Sequence, residues 1–232
     1  MDWFKRKNKQ YFSYDHDIHS HILPGLDDGV KRVEDSVVIV KKMLELGVKQ
    51  FSFTPHISFP SPMNTPEIIL EKLNELKERL LKEKIEIEAD AGAEYKIGEY
   101  MIDLIRQGNI ASFHGGKVLV EHSFVAPSPA FEEVIFRLQD KGYTPVLAHP
   151  ERYPFYAKHL TERVWELKRR GCRIQVNLLS FVGFYGKEAM AGARELLVAR
   201  LIDYFSGDIH SVKQVELLEK FLKSKESEKL LV

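Results

Sequence analysis

The chain has 232 residues, with 34 basic and 34 acidic side chains, so its formal net charge is zero. This length suits one large α/β domain or two small ones, and a composition of 44% apolar and 29% charged residues is ordinary for a soluble globular protein. The balanced charge argues against nucleic acid as a partner, and no apolar run reaches the ~18 residues that a membrane span requires.

Strand-like and helix-like segments alternate along most of the chain. Residues 1–14 are locally basic and lack the apolar stretch of a secretory signal, so we expect a short solvated arm there. Residues 15–232 contain no long linker, which predicts a single domain. In chain order the predicted elements are strand "YDHDIH", helix "RVEDSVVIVKKMLELG", strand "VKQFSFTP", helix "TPEIILEKLNELKERLLKEK", strands "IEIEADAGAE" and "KVLVEHS", helix "SPAFEEVIFRLQDKG", strand "TPVLAHP", helix "LTERVWELKRRG", strand "CRIQVNL", helix "KEAMAGARELLVAR", strand "IDYFSGDIH" and helix "SVKQVELLEKFLKS".

The alternation predicts parallel β/α units joined by right-handed crossovers. Seven such units would close into a single-domain (β/α)7 barrel, related to the TIM barrel but one unit short. A doubly wound open sheet is the competing architecture, and periodicity alone does not separate the two.

Imidazoles and carboxylates lie at the carboxyl ends of the predicted strands, where β/α barrels place their chemistry. In "HSH" and "DIH", residues i and i+2 of an extended strand share a face, so both side chains can reach one ion. The set suits zinc, manganese or iron and exceeds what one ion uses, so we expect two or three ions, with Glu94 as a candidate bridge. The nine candidate ligands are His19, His21, Asp28, His56, Glu94, Glu121, His149, Asp208 and His210.

Other polar residues near these motifs are expected to play lesser roles. Asp17 shares strand parity with His19 and His21, so it is a candidate support for the ligands from deeper in the barrel, and Asp15 is a weaker one. Asp27 is expected to point elsewhere or to cap the turn before Gly29. Solvent contact or local hydrogen bonding is expected for the remaining histidines, His16, His114, His122 and His159.

The motifs "DIHSHILPGLDDG", "TPH", "AGAEY", "VLVEHS", "LAHPERY" and "SGDIH" resemble the PHP (polymerase and histidinol phosphatase) superfamily. Their order and spacing are most similar to its bacterial protein-tyrosine phosphatases of the CpsB/YwqE type, which belong to capsule and exopolysaccharide loci. The resemblance runs from about residue 15 to about residue 215. It implies a distorted (β/α)7 barrel with a trinuclear site, commonly manganese.

The resemblance also implies roles for individual residues. Arg152 matches the family's phosphate-contacting arginine, and Lys213 is the nearest candidate for a second basic residue. A salt bridge to Glu151 or a neighbouring loop is the alternative for Arg152. The implied ligand sets are His19, His21, Glu94 and Asp208 for the first metal, Glu94, Glu121 and His149 for the second, and Asp28, His56 and His210 for the third.

Metal-activated hydroxide would attack phosphorus directly, with Arg152 stabilising charge on the phosphate oxygens and no covalent phosphoenzyme. Cysteine-based phosphatase chemistry needs an arginine six positions after the thiolate, whereas Leu178 is six positions after Cys172. The single cysteine also excludes an internal disulfide, so a reducing cytoplasm is the expected compartment. The aromatic residues Phe59, Phe124, Tyr153 and Phe155 could flank a phosphotyrosine ring or simply pack the loops.

Three alternatives remain open at the level of sequence. A histidinol-phosphate-type phosphatase would share the metals and differ in pocket shape. An amidohydrolase barrel also begins with H-x-H, but it usually ends in a lone aspartate rather than D-x-H. A metal-bearing regulatory domain without turnover is the third. A phosphotyrosine protein is the implied substrate, a bacterial tyrosine kinase is a partner implied only by resemblance, and an oligomer stays possible.

Overall fold

The structure, a computed structural model, describes residues 14–230, so the predicted arm lies outside the described residues except for Tyr14. The strands are β1 (His16–Asp17), β2 (Gln50–Phe53), β3 (His56–Ile57), β4 (Glu88–Ala91), β5 (Glu94–Lys96), β6 (Lys117–Glu121), β7 (Thr144–Ala148), β8 (Arg173–Asn177) and β9 (Tyr204–Ser206). The α-helices are α1 (Val33–Glu45), α2 (Pro66–Lys82), α3 (Glu99–Gln107), α4 (Phe131–Asp140), α5 (Leu160–Arg169), α6 (Lys187–Val198), α7 (Val212–Leu222) and α8 (Lys225–Leu230). Short 3₁₀ turns span Pro150–Arg152, Pro154–Tyr156 and Leu178–Val182.

The nine strands form seven parallel segments, as the sequence predicted. Strands β1, β2 and β4 make one sheet, and β3, β5, β6, β7, β8 and β9 make a second. The sheets continue one another because β3 follows β2, and β5 follows β4, after breaks of two residues. Pro55 lies in the first break and has no N–H for the ladder, but its carbonyl accepts a hydrogen bond from Glu94 N–H at 3.0 Å.

The two ends of this strand series meet. An isolated parallel bridge pairs Ser20 with Ile209. His21 N–H donates to the Ile209 carbonyl at 2.9 Å, and Asp208 N–H donates to the His19 carbonyl at 2.9 Å. The parallel α/β architecture predicted from the sequence is confirmed, and the last segment reaches the first through this bridge rather than through a continuous ladder.

The helices pack apolar stripes against the sheets. In α2, the Thr65 hydroxyl accepts from Ile68 N–H at 3.4 Å, Pro66 occupies the first turn, and the stripe Ile69, Leu73, Leu76 and Leu80 is buried. Each such side chain contributes about 1.5–3 kcal/mol through removal of its surface from water. None of the helices within residues 14–230 is both long and apolar enough to cross a membrane.

Helix α3 was not predicted. It buries Met101, Ile102, Leu104 and Ile105 and ends at Gly108, which adopts a left-handed φ of 71°. That apolar spacing and the glycine stop were readable in "YMIDLIRQG", so this omission was an error of interpretation. The helix supplies the crossover between the third and fourth strand segments.

Candidate metal centre

The nine predicted ligands converge at the carboxyl ends of the strands. They form four overlapping groups in which one ligand atom from each residue lies within 4.8 Å of the others. Most of these side chains are buried, and Asp28 is the exposed member. The four groups are His21, Asp28, His56 and His210; His19, Glu94 and His149; His19, His21 and Asp208; and His56, Glu94 and Glu121.

Hydrogen bonds fix the orientation of the first two imidazoles. His19 Nδ1 lies 2.9 Å from Gln175 Oε1, and His21 Nδ1 lies 2.7 Å from Asp27 Oδ2. Both partners are acceptors, so each Nδ1 carries the proton when the ring is neutral, and each Nε2 presents a lone pair. These two Nε2 atoms face one another at 3.1 Å. Converging lone pairs at this distance fit a shared cation.

Glu94 occupies the middle of the cluster and is 1% exposed. Its Oε2 lies 3.2 Å from Nε2 of both His19 and His21, and 3.1 Å from His56 Nδ1. Its Oε1 lies 3.0 Å from His149 Nε2. One carboxylate thus contacts four imidazoles, the geometry of a bridging ligand.

Asp208 divides its two oxygens between different tasks. Oδ2 accepts from Arg152 Nη1 and Asn177 Nδ2, both at 2.7 Å, and lies 3.3 Å from the Tyr185 hydroxyl. Oδ1 is buried without a hydrogen-bond partner among the described residues and lies 3.3 Å from His19 Nε2 and 3.4 Å from His21 Nε2. Asp208 also has a left-handed φ of 50°. A buried carboxylate oxygen with no donor costs free energy unless a cation neutralises it.

The group at the mouth of the cluster is more open. Asp28 Oδ1 lies 3.6 Å from Nε2 of both His56 and His210, and its side chain is 72% exposed. His210 Nδ1 donates to the Asp208 carbonyl at 2.9 Å, so its Nε2 is also free to act as a ligand. Two donor atoms bound to one ion at 2.0–2.2 Å lie about 2.8–3.6 Å apart at octahedral or tetrahedral angles. The observed separations therefore fit divalent ions.

The electrostatics reflect a dense cluster of acceptors. Burial lowers the pKa of His19, but Glu94 and Asp208 outweigh burial and raise it to about 9. Burial and the neighbouring Glu94 raise the pKa of Glu121 to about 8. The cluster thus takes up protons when no metal is bound, and divalent ions would replace those protons as the neutralising charge.

Asp27 has a second role that the sequence did not reveal. Its Oδ1 accepts from Gly29 N–H at 2.9 Å, in agreement with the predicted cap of the turn. The other expectation, that it points elsewhere, was wrong, because Oδ2 accepts from His21 Nδ1 at 2.7 Å and from His56 N–H at 2.8 Å. Gly29 permits this fold-back, since a Cβ there would lie 2.0 Å from the His21 carbonyl oxygen.

Two residues of the sixth strand segment were also missed. Gln175 accepts from His19 and donates to Asn177 at 2.8 Å, and Asn177 in turn donates to Asp208. Both residues lie on β8 at i and i+2, so they share a face of the strand, as the histidines of "HSH" do. That parity was a usable signal in "CRIQVNL".

Deeper in the barrel, Asp17 lies close to the ligands without joining them. Its Oδ1 accepts from the Tyr14 hydroxyl at 3.2 Å and from Gly207 N–H at 3.0 Å. Burial raises the pKa of Asp17 to about 6. Because Gly207 directly follows β9, Asp17 ties the first strand segment to the last one.

His16 lies at the opposite end of the strands, where its Nε2 is 2.9 Å from Ser52 Oγ.

Arg152 lies beside the cluster of candidate ligands, between two aromatic rings. Its guanidinium carbon is 4.8 Å from the Phe124 ring centre and 4.0 Å from the Tyr185 ring centre. Tyr185 was not singled out in the sequence. Lys213 lies exposed in the first turn of α7 and, among the described residues, makes no hydrogen bond or ion pair with the cluster.

The four aromatic residues proposed for the rim divide into two kinds. Phe59 and Phe124 are 65% and 43% exposed. Tyr153 is 1% exposed, donates to the Ala148 carbonyl at 3.0 Å and accepts from His122 N–H at 3.0 Å. Phe155 stacks on Tyr153 at 5.3 Å. Tyr153 and Phe155 therefore pack the loop, and Phe59 and Phe124 face solvent.

Cys172 lies away from this centre. It is 1% exposed, and burial raises the pKa of its thiol to about 12. A thiol in this environment is protonated at neutral pH and is a poor nucleophile.

The fold and the centre define a class, the parallel α/β proteins that gather imidazoles and carboxylates at their strand ends. Residues 15–219 match the family described as capsular polysaccharide synthesis, CpsB/CapC, and the chain belongs to that family. The tyrosine-protein phosphatase YwqE of Bacillus subtilis is 32% identical over 198 residues, which cover 85% of this chain and 78% of YwqE.

Solved structures show the same relationship. A crystal structure from the pair YwqE of Bacillus subtilis and CpsB of Streptococcus pneumoniae, described as metal-dependent tyrosine phosphatases, is 30% identical, with a TM-score of 0.78 over 93% of this chain and 90% of that one. Histidinol phosphate phosphatase of Lactococcus lactis, solved with zinc, L-histidinol and phosphate, is 17% identical, with a TM-score of 0.55 over 90% of this chain and 94% of that one. The second match shows a shared fold alone.

Proposed function

We propose that this protein is a metal-dependent protein-tyrosine phosphatase. The observation that supports it most directly is the pair of Nε2 atoms of His19 and His21, 3.1 Å apart and facing the carboxylates of Glu94 and Asp208. The family assignment and the relatives named as tyrosine phosphatases supply the substrate class.

The nine donors would hold two or three divalent ions, with manganese favoured by the resemblance and iron or zinc as alternatives. Such ions would supply a hydroxide nucleophile at neutral pH by lowering the pKa of water to about 7. The proposed sets keep the pattern implied by the sequence: His19, His21, Glu94 and Asp208; Glu94, Glu121 and His149; and Asp28, His56 and His210. The proximity of His56 to Glu94 makes His56 a link between the inner groups and the outer one.

Arg152 would bind the phosphate. A guanidinium has five N–H donors, and one of them is bonded to Asp208. Its remaining donors are available for phosphate oxygens, and the two flanking rings restrict the plane in which the donors lie. Arg152 would thus orient the ester and stabilise charge on its oxygens during attack. Lys213 has no such contacts, so we give it no role in this step.

Phe124 would contact the phenyl ring of the substrate. Its ring stacks on His149 with centres 5.8 Å apart, yet 43% of the residue is exposed. An aromatic ring placed against it would lie beside both the cluster and Arg152. The phenolate is a stable leaving group, so this mechanism requires no strong general acid. The substrate would be a phosphotyrosine protein of the capsule machinery, with a bacterial tyrosine kinase as one candidate.

The test compares phosphotyrosine peptides with histidinol phosphate as substrates for protein that has been stripped by EDTA and reloaded with manganese. We expect hydrolysis of the peptides to depend on metal and to exceed that of histidinol phosphate. Elemental analysis of the protein as purified gives the number and identity of the ions. Metal-independent hydrolysis, or a preference for histidinol phosphate, would contradict the proposal.

Two variants separate the residue roles. His56→Ala should remove one ion and most activity while the fold persists. Arg152→Ala should lower activity with metal content unchanged, because the only ligand atom that the Arg152 side chain contacts is Asp208 Oδ2, the oxygen that faces away from His19 and His21. Full activity in Arg152→Ala would refute the phosphate-binding role.

A further inference from the structure

A cavity of about 320 Å³ lies beside Arg152. It separates the loop of residues 150–157 from helix α6, and none of the nine candidate ligands lines it. Arg152 and Tyr185 form the wall that it shares with the metal centre. A peptide whose phosphate is bound at Arg152 therefore passes close to this cavity.

The cavity lining is acidic. Glu151, Glu188 and Glu195 line it, and the cation among its lining residues is Arg152. Arg152 is already paired with the Asp208 carboxylate at 2.7 Å. Burial raises the pKa of Glu151 to about 7, so the excess of negative charge at neutral pH comes mainly from Glu188 and Glu195, although the chain as a whole is neutral.

No cation within residues 14–230 forms a salt bridge with these three glutamates. Glu195 accepts from the Thr161 hydroxyl and from Thr161 N–H, both neutral donors. Glu188 is exposed in the first turn of α6. Glu151 is 6% exposed, its Oε1 accepts from Asn177 N–H and Ser180 Oγ, and its Oε2 has no hydrogen-bond partner among the described residues.

The rest of the lining is apolar and narrow. Pro154, Ala157, Leu160 and Ala191 provide surface against which a methylene chain could pack. At Gly192 an added Cβ would lie 2.9 Å from Leu160 Cδ2 of α5 and 3.3 Å from Glu151 Cβ of the loop, so helix α6 approaches both closely there. A volume of this size is at the lower end of ligand pockets and suits one long side chain.

We propose that this cavity binds a lysine or arginine side chain next to the phosphotyrosine of the substrate. The inference rests on the proposed phosphatase function and adds a sequence preference to it. The apolar lining would contact the methylene stem, and the exposed Glu188 and Glu195 would contact the charged head. Because Glu188 is exposed and has no salt-bridge partner among residues 14–230, it is the residue whose neutralisation should change this preference most without disturbing the fold.

The experiment measures kcat/KM on matched phosphotyrosine peptides. Each peptide carries Lys, Ala or Glu at one of the three positions on either side of the phosphotyrosine. At low salt, we expect one Lys position to exceed its Ala counterpart by about three- to fivefold, and Glu there to be worse than Ala. The preference should weaken in 0.5 M NaCl, because salt screens exposed charges.

Glu188→Gln should reduce the Lys-to-Ala ratio below about twofold. Glu78→Gln is the matched control, because Glu78 is exposed on α2 and distant in sequence from the cavity; it should keep the wild-type ratio. Equal rates on all peptides, or an unchanged ratio in Glu188→Gln, would overturn the inference while leaving the phosphatase proposal intact. If the metal-loaded protein hydrolysed no peptide, the proposed function would fail, and the inference with it.

Discussion

Replacement of Asp27 by asparagine should weaken metal binding although Asp27 is not itself a predicted ligand. Asp27 accepts three N–H groups, from His21 Nδ1, Gly29 and His56, at 2.7–2.9 Å. Burial would raise the pKa of Asp27, but the His21 imidazole outweighs burial and holds it well below its usual range. The carboxylate is therefore charged, and it keeps the proton of His21 on Nδ1.

Asparagine has the same shape but only one acceptor oxygen. If the amide oxygen faces His21 and His56, the amide nitrogen faces the N–H of Gly29, and these two groups are both donors. In the opposite orientation the amide nitrogen faces the N–H groups of both His21 and His56, so two donors lose their acceptor. At least one buried donor is therefore unpaired, which costs about 1–3 kcal/mol of folding free energy. Loss of the charged acceptor on His21 should lower metal affinity by about 10- to 100-fold, or about 1.4–2.7 kcal/mol.

The assay is a metal titration of the EDTA-stripped protein, combined with urea unfolding of the metal-free form. Asp28→Asn is the control, because it makes the same substitution one residue later, at a predicted ligand whose side chain is exposed. It should lower the number of ions bound while changing metal-free stability by less than about 0.5 kcal/mol. An Asp27→Asn protein with wild-type metal affinity and wild-type stability would refute this reasoning.

Three further predictions concern other parts of the molecule. Tyr185→Leu should lower kcat/KM by about 3- to 30-fold, because it removes one ring from Arg152 and a hydroxyl that lies 3.3 Å from Asp208 Oδ2. Most of this loss should vanish in an Arg152→Ala background; fully additive effects would show that Tyr185 acts independently of Arg152. Activity should be lost to EDTA and survive iodoacetamide, because the Cys172 thiol is buried with a pKa raised to about 12; the reverse pattern would assign the chemistry to the thiol. Burial lowers the pKa of His122 to about 4, so as pH falls the unfolded state binds a proton at this residue before the folded state does. The free energy of unfolding of the metal-free protein should therefore drop by up to about 3 kcal/mol between pH 6.5 and pH 4. His122→Gln should flatten that drop when stability is measured by urea titration.

The sequence located the candidate ligands because their positions follow from strand geometry. His19 and His21 lie just beyond β1, on either side of Ser20, which pairs with Ile209, and parallel strands all end at the same edge. No local rule separates Asp27 from Asp28, two adjacent identical residues in a loop. Their different positions depend on the fold-back at Gly29, which a single sequence does not encode in a readable pattern.

Aromatic residues were harder to interpret than ligands. Tyr153 and Phe124 both follow strands that end in candidate ligands, yet one is buried and the other is 43% exposed. Tyr185 lies in the loop that joins the 3₁₀ turn after β8 to α6 and reaches Arg152 only through tertiary packing. Loops have no periodicity from which such contacts could be deduced.

The bridge between Ser20 and Ile209 has a consequence for the order in which the molecule assembles. Each of these residues lies between two candidate ligands, so the seam that joins the first strand segment to the last one runs through the centre itself. Contacts across the seam join residues 190 positions apart in the chain. During synthesis, His19 and His21 leave the ribosome long before Asp208 and His210 do. A complete binding site therefore exists only once nearly the whole chain has been made. An ion bound there would act as a non-covalent cross-link between the two ends of the fold, stabilising contacts whose loop-closure entropy is the most costly in the molecule.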